Sequence, residues 1–205
     1  MRTPDPLTPL ADVAHAGAFN LLLSTGRPLT SRSLAARLGV SPAEGSQLVA
    51  MLRERGHVRV DDHERIVGAA GLSVVPSRHR IFMGGRPYWT WCAYDAVGIM
   101  GAVRSTGSAV SRSPLTGAGL EVRFWDGRPE PTSIVIFMAE GGNGGSLYDE
   151  WCPHVNFFED EESALAWAAR EGVEGLSLTV AKATAKGSLA WARLLPSRAP
   201  GTRPG

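Results

Sequence analysis

Residues 89–103 read WTWCAYDAVGIMGAV, a run that is apolar or aromatic at almost every position. It is too long for an ordinary strand of about five or six residues, and it lacks a strand's alternation. The expectation is therefore a buried helix, which other elements must cover. Inside it stand Cys92 and Asp95. Three positions apart, they share one face of a helix. A carboxylate in such a setting loses its hydration unless it is paired or has a task.

The flanking sequence divides at about residue 80. Over residues 8–25, Leu10, Val13, Ala14, Ala18, Leu21 and Leu22 recur at mostly three- and four-residue intervals, and Gly26 ends the pattern. Next, Thr30-Ser31 caps a short helix, Gly39 closes it, and Ser41-Pro42 opens another. The short runs HVRV and RIVG, separated by DDHE, predict a two-stranded wing. Residues 1–80 are thus expected to form a winged helix-turn-helix-like domain. Beyond them, LSVVPSRHRIFMGGRPYW predicts a hairpin, and GLEVRFWDG and PTSIVIFMAE predict two strands around a turn. The rest predicts a helix after Asp160, a strand at LSLTVA and a last helix near 182–194. The fold class is α+β, with a mixed catalytic domain of antiparallel strands over 81–195 and a disordered tail at 196–205.

Charge gives little direction. The chain has 21 basic and 20 acidic residues, a net charge of +1. No global field recruits nucleic acid or an anionic membrane. Residues 1–80 hold ten arginines against seven acidic residues, and Arg53 and Arg55 sit at the far end of the would-be recognition helix. Base reading uses the opposite end, so nucleic acid is not the expected partner. No run reaches the 18 to 20 apolar residues of a membrane span, and the N-terminus shows no basic segment followed by a clean apolar one. A cytoplasmic protein is the expectation.

Only two cysteines occur, Cys92 and Cys152, the second within YDEWCPHVNFF. Free cysteine often packs as a small hydrophobe, and that reading stands beside any functional one. With sixty positions between them and no C-x-x-C, neither a structural zinc site nor a redox pair is expected. A Cys-His-Asp hydrolase with His154 as base remains an alternative. Two thiolates converging without further cysteines would suit a very soft ion such as mercury, held near-linearly. A carboxyl beside them, its pKa raised by apolar walls, could carry a proton to a nearby carbon.

The motifs GRPYWTWCAYD, WCPHVNFF and GVEGLSL, in that order, together with SLAARLGVS near the N-terminus, resemble the bacterial organomercurial (alkylmercury) lyases. The resemblance covers most of the chain. It implies that Cys92 and Cys152 are the catalytic cysteines and mercury ligands, and that Asp95 carries the proton and stays close to the metal. The implied reaction breaks a carbon–mercury bond to give a hydrocarbon and mercury(II). It needs no organic cofactor or resident metal, only an organomercurial and low-molecular-weight thiols for product release, with mercuric reductase as a downstream partner. The chain departs from the family pattern at Pro153, where many members have a second cysteine, and near Ser113, where a noncatalytic cysteine is replaced. Two other functions fit the same residues: a related enzyme turned to another substrate, and a winged-helix regulator that senses a soft metal.

Of the aromatic residues around the motifs, Trp89, Trp91, Tyr94, Trp151, Phe157 and Phe158, at least half are expected to be core and the others walls of a site. The glycine-rich EGGNGGS, residues 140–146, is a candidate lid beside Cys152.

Overall fold

Thr30 and Ser41 open their helices as expected. The Thr30 side chain accepts from Ser33 N, and the Ser41 side chain accepts from Glu44 N while Glu44 reaches back to Ser41 N. Such reciprocal capping satisfies backbone donors that would otherwise face no partner. In the computed structural model, which describes residues 8–141 and 147–196, these caps begin α2 (Ser31–Leu38) and α3 (Pro42–Glu54), and α1 (Thr8–Thr25) precedes them. Gly39, at φ 71°, ends α2 in the left-handed conformation. Phe19, Leu22, Leu34, Leu48 and Leu52 are fully buried where the three helices meet.

The chain then builds β1 (Val58–Val60), β2 (Ile66–Ala69), β3 (Leu72–Ser73), β4 (His79–Met83) and β5 (Arg86–Thr90). After α4 (Ala93–Ala102) come β6 (Gly107–Arg112), β7 (Gly119–Trp125), β8 (Arg128–Pro129) and β9 (Val135–Ala139). A π-helical turn, Leu147–Trp151, runs into a 3-10 turn, Cys152–His154. The order ends with β10 (Asn156–Phe158), α5 (Glu161–Glu171), β11 (Gly175–Thr179) and α6 (Val180–Ala192). Among the described residues, one eight-stranded antiparallel sheet runs β1-β2-β3-β5-β4-β6-β7-β8 and a second, three-stranded, runs β10-β9-β11. The class is α+β. None of the described helices is long and apolar enough to cross a membrane.

One expectation changes. The apolar run at 89–103 is not one helix. Trp89 and Thr90 belong to β5, pairing with Ser73 and Leu72 of β3, and the helix begins only at Ala93. The Trp91 N–H still donates to Gly71 O at 2.9 Å, one step further along the β3–β5 ladder, and the chain turns into the helix directly after it. The strands β7 and β9 do not pair with each other but lie in different sheets. Their burial explains why: β7 alternates between exposed and buried residues, as a strand with one wet face does, whereas β9 is buried at four of five positions. A strand covered on both faces must be central, and β9 sits between β10 and β11.

Helix α4 occupies the middle of the core, with Ala93, Ala96, Val97, Ile99 and Met100 all fully buried. It packs on β4 and β5 of the large sheet, on β9 and β10 of the small one, and most closely on α6. The α4–α6 crossing depends on small residues. A Cβ on Gly98 would run into the Trp191 ring, and one on Gly187 would lie 2.9 Å from Gly98 Cα. Trp191 is thereby laid flat across α4, and its Nε1 donates to Ala70 O at 2.7 Å.

Candidate active site

Cys92 is the residue that caps α4. Its Sγ accepts from Asp95 N at 3.4 Å, and Asp95 Oδ2 accepts from Cys92 N at 2.9 Å. Sulfur is a weak acceptor, and cysteine is not among the preferred capping residues. The local fold tolerates it because the carboxylate supplies the stronger half of the capping pair. The cysteine–aspartate proximity expected from helical spacing is therefore real, but it arises at the helix mouth and not within the helix.

Cys152 arrives from the far side of the sequence through backbone pairing. Ala93 N, one residue into α4, donates to Val155 O at 3.1 Å, and Val155 N donates to Cys152 O at 3.1 Å. The turn that carries Cys152 is held by Asn156, a fully buried side chain. Its Nδ2 donates to Pro153 O at 2.8 Å, and its Oδ1 accepts from Arg78 Nη1 at 2.7 Å. Cys152 Sγ then lies 4.0 Å from Asp95 Oδ2. One ligand atom from each of Cys92, Asp95 and Cys152 falls within 4.8 Å of the others, and their exposures are 0%, 6% and 4%. Both thiols are free.

Burial sets the charge state of this cluster. It pushes the Asp95 carboxyl up to about 6, against the opposing hydrogen bonds from Cys92. It also pushes the Cys92 thiol well above its ordinary value, with the Cys152 thiol and the Asp95 charge adding in the same direction. A protonated thiol and a carboxyl that ionises only slightly below neutrality are thus held side by side.

The remaining Asp95 surface meets the turn between β2 and β3. Gly71, at φ +83°, presses so close that a Cβ there would lie 2.5 Å from both Asp95 Cγ and Oδ1. Asp95 and Cys152 form part of one wall of a largely apolar cavity of about 360 Å³, with Trp91, Tyr94, Trp151 and Trp191 among its other walls. Tyr94 stands edge-on to Trp191 with ring centroids 5.7 Å apart. At the wall formed by α1 and the residues entering β1, His15 and His57 stack with centroids 4.4 Å apart and planes at 15°. Burial, then the neighbouring His57, hold His15 down to about 4. Burial, then Arg55, hold His57 below its usual value.

The alkylmercury lyase family matches residues 72–191, more than half of the chain. The chain belongs to that family. Two relatives named alkylmercury lyase agree with the assignment. One, from Staphylococcus epidermidis, is 27% identical over 149 residues, 71% of this chain and 67% of its own length. Another, from Pseudomonas putida, is 27% identical over 156 residues, 74% of this chain and 72% of its own length. The fold resembles the crystal structure of the mercury-bound form of MerB2, with a TM-score of 0.83 and 23% identity over 92% of this chain and 93% of that one.

In this alkylmercury lyase family member, Cys92, Asp95 and Cys152 come together, and His154 does not join them. Its ring faces Trp167 at a centroid distance of 6.5 Å, and it does not line the cavity among the described residues. The aromatic residues divide. Trp91, Tyr94 and Trp151 are walls, while Phe157 and Phe158 are core. Residues 142–146 of the glycine-rich loop and 197–205 of the tail lie outside the described residues, so the lid and tail expectations rest on sequence. Gly71, Asn156 and Trp191 support the site, and His15 and His57 line the cavity, without being among the residues expected from sequence. Of these, only Asn156 stands inside a quoted motif, WCPHVNFF, where an amide between the apolar Val155 and Phe157 and four residues from Cys152 is a signal that could be read.

Proposed function

We propose that this lyase cleaves carbon–mercury bonds by protonolysis, with Cys92 and Cys152 as nucleophiles and mercury ligands and Asp95 as the proton carrier. The observation that carries the proposal is the meeting of two buried thiols and one carboxyl within 4.8 Å at the wall of an apolar cavity. Two sulfurs suit a soft ion that prefers few ligands, and the apolar walls suit the organic group. The substrate is an organomercurial, R–Hg–X, with X a small thiolate.

One cysteine thiol displaces X, and its proton leaves with X as the free thiol. The other thiol gives its proton to the Asp95 carboxylate, and the thiolate so formed bonds mercury. Asp95 then delivers that proton to the carbon. The electron pair of the carbon–mercury bond becomes the new carbon–hydrogen bond, and the hydrocarbon leaves. Mercury(II) remains on two thiolates beside the regenerated carboxylate. An acid that ionises near 6 is suited to both halves of this transfer, because it accepts from a thiol and still protonates a carbon. The chemistry calls for no organic cofactor and no resident metal. Small cytosolic thiols remove the product in two exchanges, and a mercuric reductase is the natural consumer.

The arrangement of α1–α3 with the β1–β2 hairpin is winged-helix-like, and the proposed division of the chain falls near residue 80. Its role in this reading is to complete the cavity wall through His15 and His57. It is given no DNA contact in this reading: its arginine Arg53 stands at the end of α3 away from the base-reading end and faces Glu64 at 3.5 Å.

Phenylmercury with excess thiol tests the function. One benzene released per mercurial consumed, and one mercury(II) held on two sulfurs when thiol is withheld, are expected. Tight mercury(II) binding without hydrocarbon would instead indicate a soft-metal receptor. The Gly71 contact gives a separate check. Gly71→Ala forces the Asp95 carboxyl to move, and a displacement of about 1 Å in a reacting group costs on the order of a hundredfold in rate. We expect kcat to fall by about that factor while mercury(II) is still bound by both cysteines. Wild-type kcat in Gly71→Ala would show that the carboxyl position is unimportant.

A further inference from the structure

The bond to be cleaved must lie beside Cys152 and Asp95, so the organic group has the rest of the cavity to occupy. A methyl group, comparable to a water molecule at about 30 Å³, leaves most of 360 Å³ unfilled. It also leaves the far walls untouched, and dispersion contacts are forfeited across even a small gap. A flat, ring-sized group would reach those walls.

Two of the aromatic walls are held in place before any substrate arrives. Trp191 Nε1 donates to Ala70 O at 2.7 Å, in the turn after β2 of the large sheet. Trp151 Nε1 donates to Ala139 O at 2.9 Å, at the end of β9 in the small sheet. Each indole is also one step from the reacting groups. Trp151 precedes Cys152 in the chain, and Ala70 precedes Gly71, which lies against the Asp95 carboxyl. The Trp191 ring cannot withdraw into the helix pair, because it already occupies the space that a side chain on Gly98 would need. Tyr94 stands against its edge, with ring centroids 5.7 Å apart. Glycine inside a helix is destabilising relative to alanine, so α4 and α6 give up stability at Gly98 and Gly187 to accommodate this ring.

We propose that Trp151 and Trp191 are specificity-determining residues, forming a fixed slot that selects a flat, ring-sized organic group over methyl. Walls tied to two sheets need no ordering when the substrate binds, so the contacts they make are not offset by lost side-chain freedom. The parts of the organic group remote from mercury are the same in substrate and transition state. Contacts to them strengthen the binding of both, and they act on KM more than on kcat. The proposal rests on the carbon–mercury lyase function, and it concerns only which organic group that site prefers.

The test compares phenylmercury with methylmercury in the presence of excess thiol, reading benzene and methane release as a ratio of kcat/KM values. The two carbon–mercury bonds differ in intrinsic reactivity, so the informative quantity is how the ratio changes between proteins. Trp151→Leu and Trp191→Leu each remove one aromatic wall. Each is expected to lower the phenyl-to-methyl ratio by about tenfold relative to wild type, the size of one lost aromatic contact, chiefly through a higher KM for phenylmercury. Because methylmercury is the internal reference for every protein, partial loss of folded material cancels. Trp191 is buried and Trp151 only half-buried, so Trp151→Leu carries the test if Trp191→Leu does not fold. A tryptophan that merely supports the fold or the Cys152 turn would slow both substrates together, and that unchanged ratio overturns the slot while leaving the lyase intact. Release of neither hydrocarbon by the wild type would instead remove the lyase function on which the proposal rests.

Discussion

Asp95→Asn is expected to give a protein that folds more stably than wild type at neutral pH and has lost turnover by about three orders of magnitude. The stability gain follows from burial. The carboxyl ionises near 4 in an unfolded chain and at about 6 in the fold, so the unfolded chain releases its proton first. Below pH 4 both states are protonated and the group is neutral towards folding. Between pH 4 and 6 stability falls as pH rises, and above 6 the full penalty of about 3 kcal/mol is present. Asparagine cannot ionise, and its carbonyl can still accept from Cys92 N. Allowing for a weaker hydrogen bond, the variant should gain about 2 kcal/mol at pH 8, and the gain should vanish near pH 4. Urea denaturation at the two pH values measures it. A variant destabilised equally at both would mean that Asp95 is a structural anchor and not a group held at a cost for its proton.

The two cysteine substitutions should abolish hydrocarbon release, yet for different structural reasons. Serine at position 92 is a better helix cap than cysteine, so Cys92→Ser should keep the capping pair with Asp95 and melt within a few degrees of wild type. Cys152→Ser places a hydroxyl in the turn held by Asn156, near the Asp95 carboxyl. Each variant leaves one sulfur for mercury(II). Competition with a dithiol should then strip the metal from either variant at concentrations that leave the wild type loaded. Retained hydrocarbon release in either variant would exclude a two-thiol mechanism. Retained mercury binding in both would mean that the metal is held elsewhere.

The sequence disclosed the chemistry more readily than the geometry. WCAYD was legible because a carboxylate in an apolar run needs a reason, and the capping signals at Thr30, Ser41 and Asp160 were legible because they act over three residues. What could not be read depends on distant partners. Cys152 reaches Cys92 through the Ala93–Val155 bond and the Arg78–Asn156–Pro153 chain, and no local pattern announces either. The strand β6, GSAVSR, passed unnoticed because small and polar residues give weak strand signals, and its place is fixed by β4 and β7 on either side. The division of β7 and β9 between two sheets likewise depends on what covers each face. The cavity draws walls from α1, the β2–β3 turn, α4, the Leu147–Trp151 turn and α6, so its shape exists only after the whole chain has packed.

The most direct test of the proton route is to run methylmercury cleavage in heavy water and analyse the methane by mass spectrometry. The thiols and Asp95 exchange with solvent, so the mechanism predicts monodeuterated methane from wild type and none above background from Asp95→Asn. Unlabelled methane, or monodeuterated methane formed by Asp95→Asn at the wild-type rate, would contradict it.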